Sequence, residues 1–313
     1  MDGFERAAIV GAGTMGRGIA RLLAGRGVAV SLCDRDEALA EAGRATLAED
    51  VQSAVRRGEL PADEAARMLA RVRSAADLPA AVDGAELVVE AIPEVIEAKR
   101  EVWQRLAGCV GGEAVLTTNT SSFDIDVVVG DLGAGGRALG MHWYNPAYLV
   151  PCVELVPARD TDPAVVDRVA TFLRSVGKSP AVVANRAGFV GNRIQFAMIA
   201  EAFRCLGEGV ASAEDIDAIV RDSFGFRLGD YGPFQVADMN GLDVYQGILE
   251  YLAGQLGERF APPEELLGRV RAGRLGLKTG SGVYPWPAEA ARAALSQRDE
   301  RLRSRLRSRE VAE

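Results

Sequence analysis

The chain uses histidine once, at His142, in the phrase Gly140-Met141-His142-Trp143-Tyr144-Asn145-Pro146, and a carboxylate, Glu154, follows 12 residues later. Imidazole is the side chain whose unperturbed pKa lies nearest neutrality, which makes it the default proton acceptor in catalysis. A companion carboxylate can fix its tautomer and stabilise the imidazolium formed when it takes a proton. Taken alone, His142 reads equally as a hydrogen-bonded structural residue, and the rest of the chain has to decide.

A second cluster with chemistry in it is Gly11-Ala12-Gly13-Thr14-Met15-Gly16. A GxGxxG run by itself is weak evidence, but this one follows a short apolar strand, Ala7-Ala8-Ile9-Val10, and opens a helix. An acidic residue, Asp34, ends the next strand, 23 positions after Gly11. That is the dinucleotide pattern: Gly11 for a tight turn, Gly13 for backbone approach to a pyrophosphate, Gly16 for close helix–strand packing. The helix N-terminus, with Thr14 and Met15, then supplies free N–H groups and a favourable dipole. Asp34 can accept from an adenosine ribose and would repel a 2′-phosphate, so NAD is expected over NADP; Arg35 beside it has the opposite tendency. Two further segments end buried runs: Glu90-Ala91-Ile92-Pro93-Glu94 with Lys99 after it, and Thr118-Asn119-Thr120-Ser121-Ser122. Polar residues there are either ligand contacts or plain turn formers.

The elements that must position these residues follow from hydrophobic patterning. Residues 6–33 read as one strand–helix–strand unit of a parallel sheet, its strands ending at Val10 and Cys33. Residues 36–76 carry Ala, Glu and Arg at helical spacing and break at Gly58-Glu59-Leu60-Pro61, which predicts two antiparallel helices. Strands are expected at 86–92, 114–118, 137–141, 153–156 and 180–183, with a helix over 163–177. Beyond Asn185 only helix is expected. Ile194, Met198, Ala202 and Leu206 share one face of a helix opening near Gly188 and closing at Gly207 or Gly209. Ser212-Ala213-Glu214-Asp215 predicts a helix start of capping-box type. The arginine-rich end, Arg298 to Arg309, reads as a solvated helix or frayed tail. The expected class is α/β: a doubly wound dinucleotide-binding (Rossmann-type) sheet with a helical hairpin insertion over 1–184, then an all-α domain over 185–313.

Composition excludes other classes. A length of 313 residues suits two domains, and a net charge of −8 argues against general nucleic-acid binding. Cys33, Cys109, Cys152 and Cys205 are scattered; with one histidine they predict no metal cluster and read as packing residues of a reducing cytoplasm. No apolar run approaches the roughly 20 residues of a membrane span, and the acidic start is unlike a targeting segment.

Together, GAGTMGRGIA, VVEAIPE with Lys99, TTNTSS, GMHWYNP, VELV, GFVGNR, YGPFQVADMNGLD and LGLKTGSGVY, in that order, resemble the 3-hydroxyacyl-CoA dehydrogenase family over about residues 6–286. The resemblance implies an NAD-dependent oxidoreductase interconverting a 3-hydroxyacyl thioester, of coenzyme A or a carrier protein, and its 3-oxoacyl form. It places the catalytic histidine on His142, its partner on Glu154, and substrate contacts on Ser121 and Asn192. It maps cofactor contacts to Asp34, Glu94, Lys99, Ser121, Asn145 and Lys278. It also implies a homodimer formed through the helical domain, and closure of the two domains to bring Asn192 to the site. This chain departs from the family in having Trp143-Tyr144 for the usual phenylalanine pair, and in lacking a lysine just ahead of Glu154. Arg56 and Arg57, on the helical hairpin, are candidate phosphate partners. The alternatives are a dehydrogenase of a free hydroxy acid, of gulonate or carnitine type, or a non-catalytic NAD-binding protein. Enzymes that use a lysine base on the first helix are disfavoured, since no lysine follows Asn192 at the required place.

Overall fold

The computed structural model describes residues 3–130 and 136–310, and the chain divides into two compact units, Met1–Met198 and Ile199–Glu313. In the first unit the chain runs β1 (Arg6–Val10), α1 (Thr14–Gly25), β2 (Ala29–Cys33), α2 (Glu37–Arg56), α3 (Ala62–Leu69), β3 (Val72–Ser74), α4 (Leu78–Val82) and β4 (Leu87–Glu90). It continues with α5 (Ile96–Cys109), β5 (Val115–Thr118), α6 (Ile125–Val129), β6 (Ala138–Trp143), β7 (Cys152–Pro157), α7 (Pro163–Ser175) and β8 (Ser179–Val182).

The strands form one sheet in the order β3-β2-β1-β4-β5-β6-β7-β8. Neighbours run parallel except β6 and β7, which are antiparallel. The order reverses between β1 and β4, and in open parallel sheets that crevice, beyond the C-terminal strand ends, is where ligands bind. Successive side chains of a strand point to opposite faces. Ala7 and Ile9 accordingly join one core with Ile19 and Leu23 of α1 and Val169 and Leu173 of α7. Ala8 and Val10 join the other, with Trp103 and Leu106 of α5 and Ile125 and Val128 of α6. Helices thus cover both faces, which is why Ala7–Val10 of β1 and Leu87–Val89 of β4 are continuously apolar rather than alternating.

The hairpin over 36–76 is shorter than expected. Asp36 caps α2 by accepting from the Leu39 N–H, Gly58 makes the turn at φ +74°, and α3 starts after Pro61, but Val72–Ser74 leaves helix to pair with β2. Three residues with an arginine in the middle give no periodic signal. The pairing comes from the free edge that β2 offers once α3 has turned the chain back.

α8 (Gly191–Gly207) opens in the first unit. The second unit then has α9 (Ala213–Asp222), α10 (Phe224–Leu228), α11 (Pro233–Asn240), α12 (Leu242–Leu256), α13 (Glu264–Arg271) and α14 (Ala288–Glu310). Ser212 caps α9 as its spacing predicts, accepting from the Asp215 N–H at 3.1 Å. The buried Asp238 carboxylate accepts from the Val283 and Tyr284 N–H groups and from Trp286 Nε1, which pins the glycine-rich segment 276–286. The arginine-rich end is helical, with Arg309 paired to Asp222 at 2.8 Å. No helix of the described residues is long and apolar enough to cross a membrane.

Candidate active site

At the switch point the glycine loop has the geometry its spacing predicts. Gly11 has φ +112°, and a Cβ there would sit 2.5 Å from the Ala91 carbonyl oxygen, so any side chain would be both strained and crowded. A Cβ on Gly16 would collide with the Gly11 carbonyl oxygen. Gly13, by contrast, faces open space, and α1 begins after it with no side chain capping its N–H groups. That helix start borders a cavity of about 780 Å³ lined by Thr14, Met15, Asp34 and the apolar Leu39, Ile92 and Val95. Asp34 accepts from the Ala12 N–H through Oδ2 and from the Arg35 N–H through Oδ1, each at 2.7 Å. A polar anion cradle beside an apolar slot with a carboxylate at its edge fits the diphosphate, adenine and ribose of a dinucleotide.

Glu94 lies beyond the end of β4 and gathers the loop after β5. It accepts from Thr120 Oγ1 at 2.6 Å, the Ser121 N–H at 2.9 Å and the Ser122 N–H at 3.2 Å. Burial opposes its charge, but the Thr120 bond, the Lys99 ammonium at 3.3 Å and the loop donors hold its carboxyl below the usual range. Lys99 itself is only 1% exposed, and its Nζ is taken up by Glu90 at 2.8 Å, Glu94 and the Ile92 carbonyl. Its observed partners are thus protein groups that shape the loop on which Ser121 sits. Glu90, fully buried, also accepts from Thr118 Oγ1 and the Ile92 N–H.

His142 and Glu154 meet because the β6–β7 pairing sets them in register. His142 Nδ1 lies 2.8 Å from Glu154 Oε2. That same oxygen accepts from Tyr144 Oη at 2.8 Å, while Oε1 accepts from the Val190 and Gly191 N–H groups at 3.0 Å each. Glu154 is 2% exposed, and burial alone would neutralise it; the bonds from His142, Gly191, Tyr144 and Val190 outweigh that and pull its pKa down to about 2. An ionised carboxylate at Nδ1 requires the proton on Nδ1, so the Nε2 lone pair is the one available as a base, and no described residue bonds it. Phe189, buried with φ +49°, and Tyr144 flank the ring, their centroids 5.7 and 4.6 Å from it. The turn at Gly188 and Phe189 is what aims two N–H groups at Oε1.

Asn192, in the first turn of α8, donates from Nδ2 to the Ser121 carbonyl at 2.7 Å. Both residues lie in the first compact unit, because α8 starts before the chain leaves it. Asn145 is exposed on the loop 144–151, which Lys178 braces with bonds to the Ala147 and Val150 carbonyls, both 2.6 Å. Asn119 Oδ1 accepts from the Trp143 N–H and ties the β5 loop to β6. Lys278 lies in the second unit, where its Nζ bonds both oxygens of Asp243 at 2.6 and 2.7 Å. Of the two arginines, Arg57 lines a pocket of about 290 Å³ with Arg17, Arg21, Asn145 and Tyr148 while pairing with Glu59 at 2.6 Å, and Arg56 pairs with Glu49. Sequence reasoning passed over Lys178 and the 190–191 N–H pair. Glu90, a carboxylate ending an apolar strand, and Tyr144, a departure from the usual phenylalanine, were in view without their partners.

Residues 6–186 match the 3-hydroxyacyl-CoA dehydrogenase NAD-binding domain and residues 188–286 the C-terminal domain of the same family. A 3-hydroxybutyryl-CoA dehydrogenase of Mycobacterium tuberculosis is 35% identical over 288 residues, covering 91% of this chain and 99% of the relative. A 5-formyl-3-hydroxy-2-methylpyridine 4-carboxylate 5-dehydrogenase of Mesorhizobium japonicum is 33% identical over 298 residues, covering 94% and 95%. Among solved structures, a 3-hydroxyacyl-CoA dehydrogenase of Archaeoglobus fulgidus superposes with a TM-score of 0.78 at 32% identity, over 97% of this chain and 98% of that one. Two matched domains that between them span nearly all of residues 6–286, on a sheet whose switch point is shaped for a dinucleotide, establish that this chain is an NAD-dependent oxidoreductase belonging to the 3-hydroxyacyl-CoA dehydrogenase family.

Proposed function

We propose that the protein interconverts a 3-hydroxyacyl thioester and its 3-oxoacyl form, with His142 as the acid–base group and Glu154 as its partner. The observation that carries the reading is Glu154, bonded by four donors, holding Nδ1 of the only imidazole, which leaves Nε2 as acceptor. NAD, when bound, supplies the hydride acceptor at nicotinamide C4. In the oxidation direction His142 Nε2 takes the hydroxyl proton, and Glu154 lowers the cost of the charge the ring gains. Ser121 Oγ and the remaining N–H of Asn192 position the reacting oxygen and stabilise charge developing on it. Gly11, Gly13, Gly16 and the start of α1 hold the diphosphate, Asp34 the ribose, and Glu94 orders the loop that presents Ser121. Arg57, with Arg21 beside it in the 290 Å³ pocket, offers guanidinium partners to the phosphates of coenzyme A.

Residues 1–184 do the dinucleotide work in this reading, and the helical part from 185 pairs two copies of the chain. Supporting the second point, α8, α9 and α10 bury no side chain within one chain, and Phe203 and Tyr251 are 70% and 68% exposed. A second reading, a free hydroxy acid as substrate, is favoured by the 33% identity to a dehydrogenase named for a pyridine carboxylate rather than a thioester. A substrate panel separates them: acetoacetyl-CoA, longer 3-oxoacyl-CoAs, carrier-protein thioesters and free acids, each with NADH and NADPH. Coenzyme A thioester reduction with NADH should rank first; turnover confined to free acids would overturn the thioester assignment.

A further inference from the structure

Tyr144 shares an atom with the acid–base pair. Its Oη and His142 Nδ1 both lie 2.8 Å from Glu154 Oε2, and the other carboxylate oxygen is already filled by two backbone N–H groups. We infer that Tyr144 is a positioning residue for the pair: its hydroxyl competes with the imidazole for one carboxylate oxygen and so sets how strongly Glu154 holds the imidazolium. The inference rests on the reading of His142 and Glu154 as that pair.

Three observations support it. The two rings lie with centroids 4.6 Å apart, so the phenol packs against the imidazole with which it shares Oε2. Gly191 is built to admit the hydroxyl, since a Cβ there would collide with Tyr144 Oη. The phenol is a permanent donor, because burial and the Glu154 charge push its pKa well above the ordinary tyrosine range. Among the described residues the other titratable group facing the pair is Cys152, on β7 two residues before Glu154, and burial and the same carboxylate push its thiol up, so it stays neutral. The turn into α8 contributes only the Phe189 ring and N–H groups among the described residues.

A carboxylate oxygen that accepts two donors divides its charge between them. Deleting the phenol donor concentrates that charge on the bond to Nδ1 and stabilises imidazolium over imidazole. The ring then keeps its proton to higher pH, and a base that must be neutral to act loses activity earlier on acidification.

Because the chain has one histidine, a ¹³C-histidine label gives one ring signal, and its titration reads His142 directly without any substrate. Tyr144→Phe should move the midpoint up by roughly half a pH unit. Difluorotyrosine at position 144, a stronger donor of the same shape, should move it down. A midpoint unmoved within about a tenth of a unit in both proteins, or moved in the opposite sense, overturns the inference. The base assignment fails on a separate result, a fully active His142→Gln enzyme, which the titration does not touch.

Discussion

Glu154 stands directly opposite His142 in the antiparallel pairing of β6 with β7, and the 2.8 Å bond between them is a cross-strand contact. Twelve residues of sequence separation become zero in the ladder because the loop 144–151 folds straight back. The loop's position is in turn fixed by the buried Lys178 ammonium on its Ala147 and Val150 carbonyls. The geometry of the proposed base is therefore a property of strand register, which a rigid sheet holds more precisely than a loop could.

Glu154 links stability to pH. Its folded pKa, about 2, lies below the ordinary glutamate value of 4.5, so its contribution is fully present above 4.5 and is lost as pH falls from there through about 2. Linkage makes that contribution on the order of 3 kcal/mol. Urea unfolding at pH 7 and pH 3 should show a steeper acid loss in the wild type than in Glu154→Gln. Equal pH slopes would mean that the carboxylate is not held ionised by its four donors.

In the proposed reading Asp34 carries the choice of cofactor. Replacing it with serine removes charged acceptors worth about 1.5–3 kcal/mol, which should raise KM for NADH about 10–100-fold. The same change removes the repulsion of a 2′-phosphate, so the preference for NADH over NADPH should shrink. Initial rates with the two cofactors measure both effects, and an unchanged NADH/NADPH ratio would remove Asp34 from ribose recognition.

Much of the first unit could be read from the chain. The apolar runs ending at Val10 and Cys33, the glycine spacing, and the Asp34 that follows locate β1, α1 and β2 to within a residue or so. What escaped was set by partners distant in sequence. β3 exists because β2 has a free edge, and nothing in Val72-Arg73-Ser74 announces it. Tyr144 was visible as a change of residue type, yet its meaning depends on where Gly191 places the start of α8. Lys178 reads as an ordinary surface lysine after α7, and only the fold shows it 5% exposed beneath the loop. One signal was present and unused: residues 142–152, between the strands expected at 137–141 and 153–156, are too few for a parallel crossover, so those strands had to be antiparallel.

Lys178 is a buried cation with no carboxylate partner among the described residues, and burial pushes its pKa down. Lys178→Met removes the burden of burying a charge but leaves two carbonyls without their donor, each costing about 1–3 kcal/mol. A net loss of about 1–3 kcal/mol should appear in denaturant unfolding, with weaker substrate binding from the loosened loop around Asn145. A variant as stable as the wild type would show that the carbonyls find other partners.

The most direct measurement compares acetoacetyl-CoA reduction by NADH in the wild type and in His142→Gln, with NADH affinity measured alongside. The account predicts unchanged NADH binding and a fall in kcat of about 10²–10⁴-fold, the usual cost of losing a positioned acid–base group. A His142→Gln enzyme turning over at the wild-type rate would contradict it.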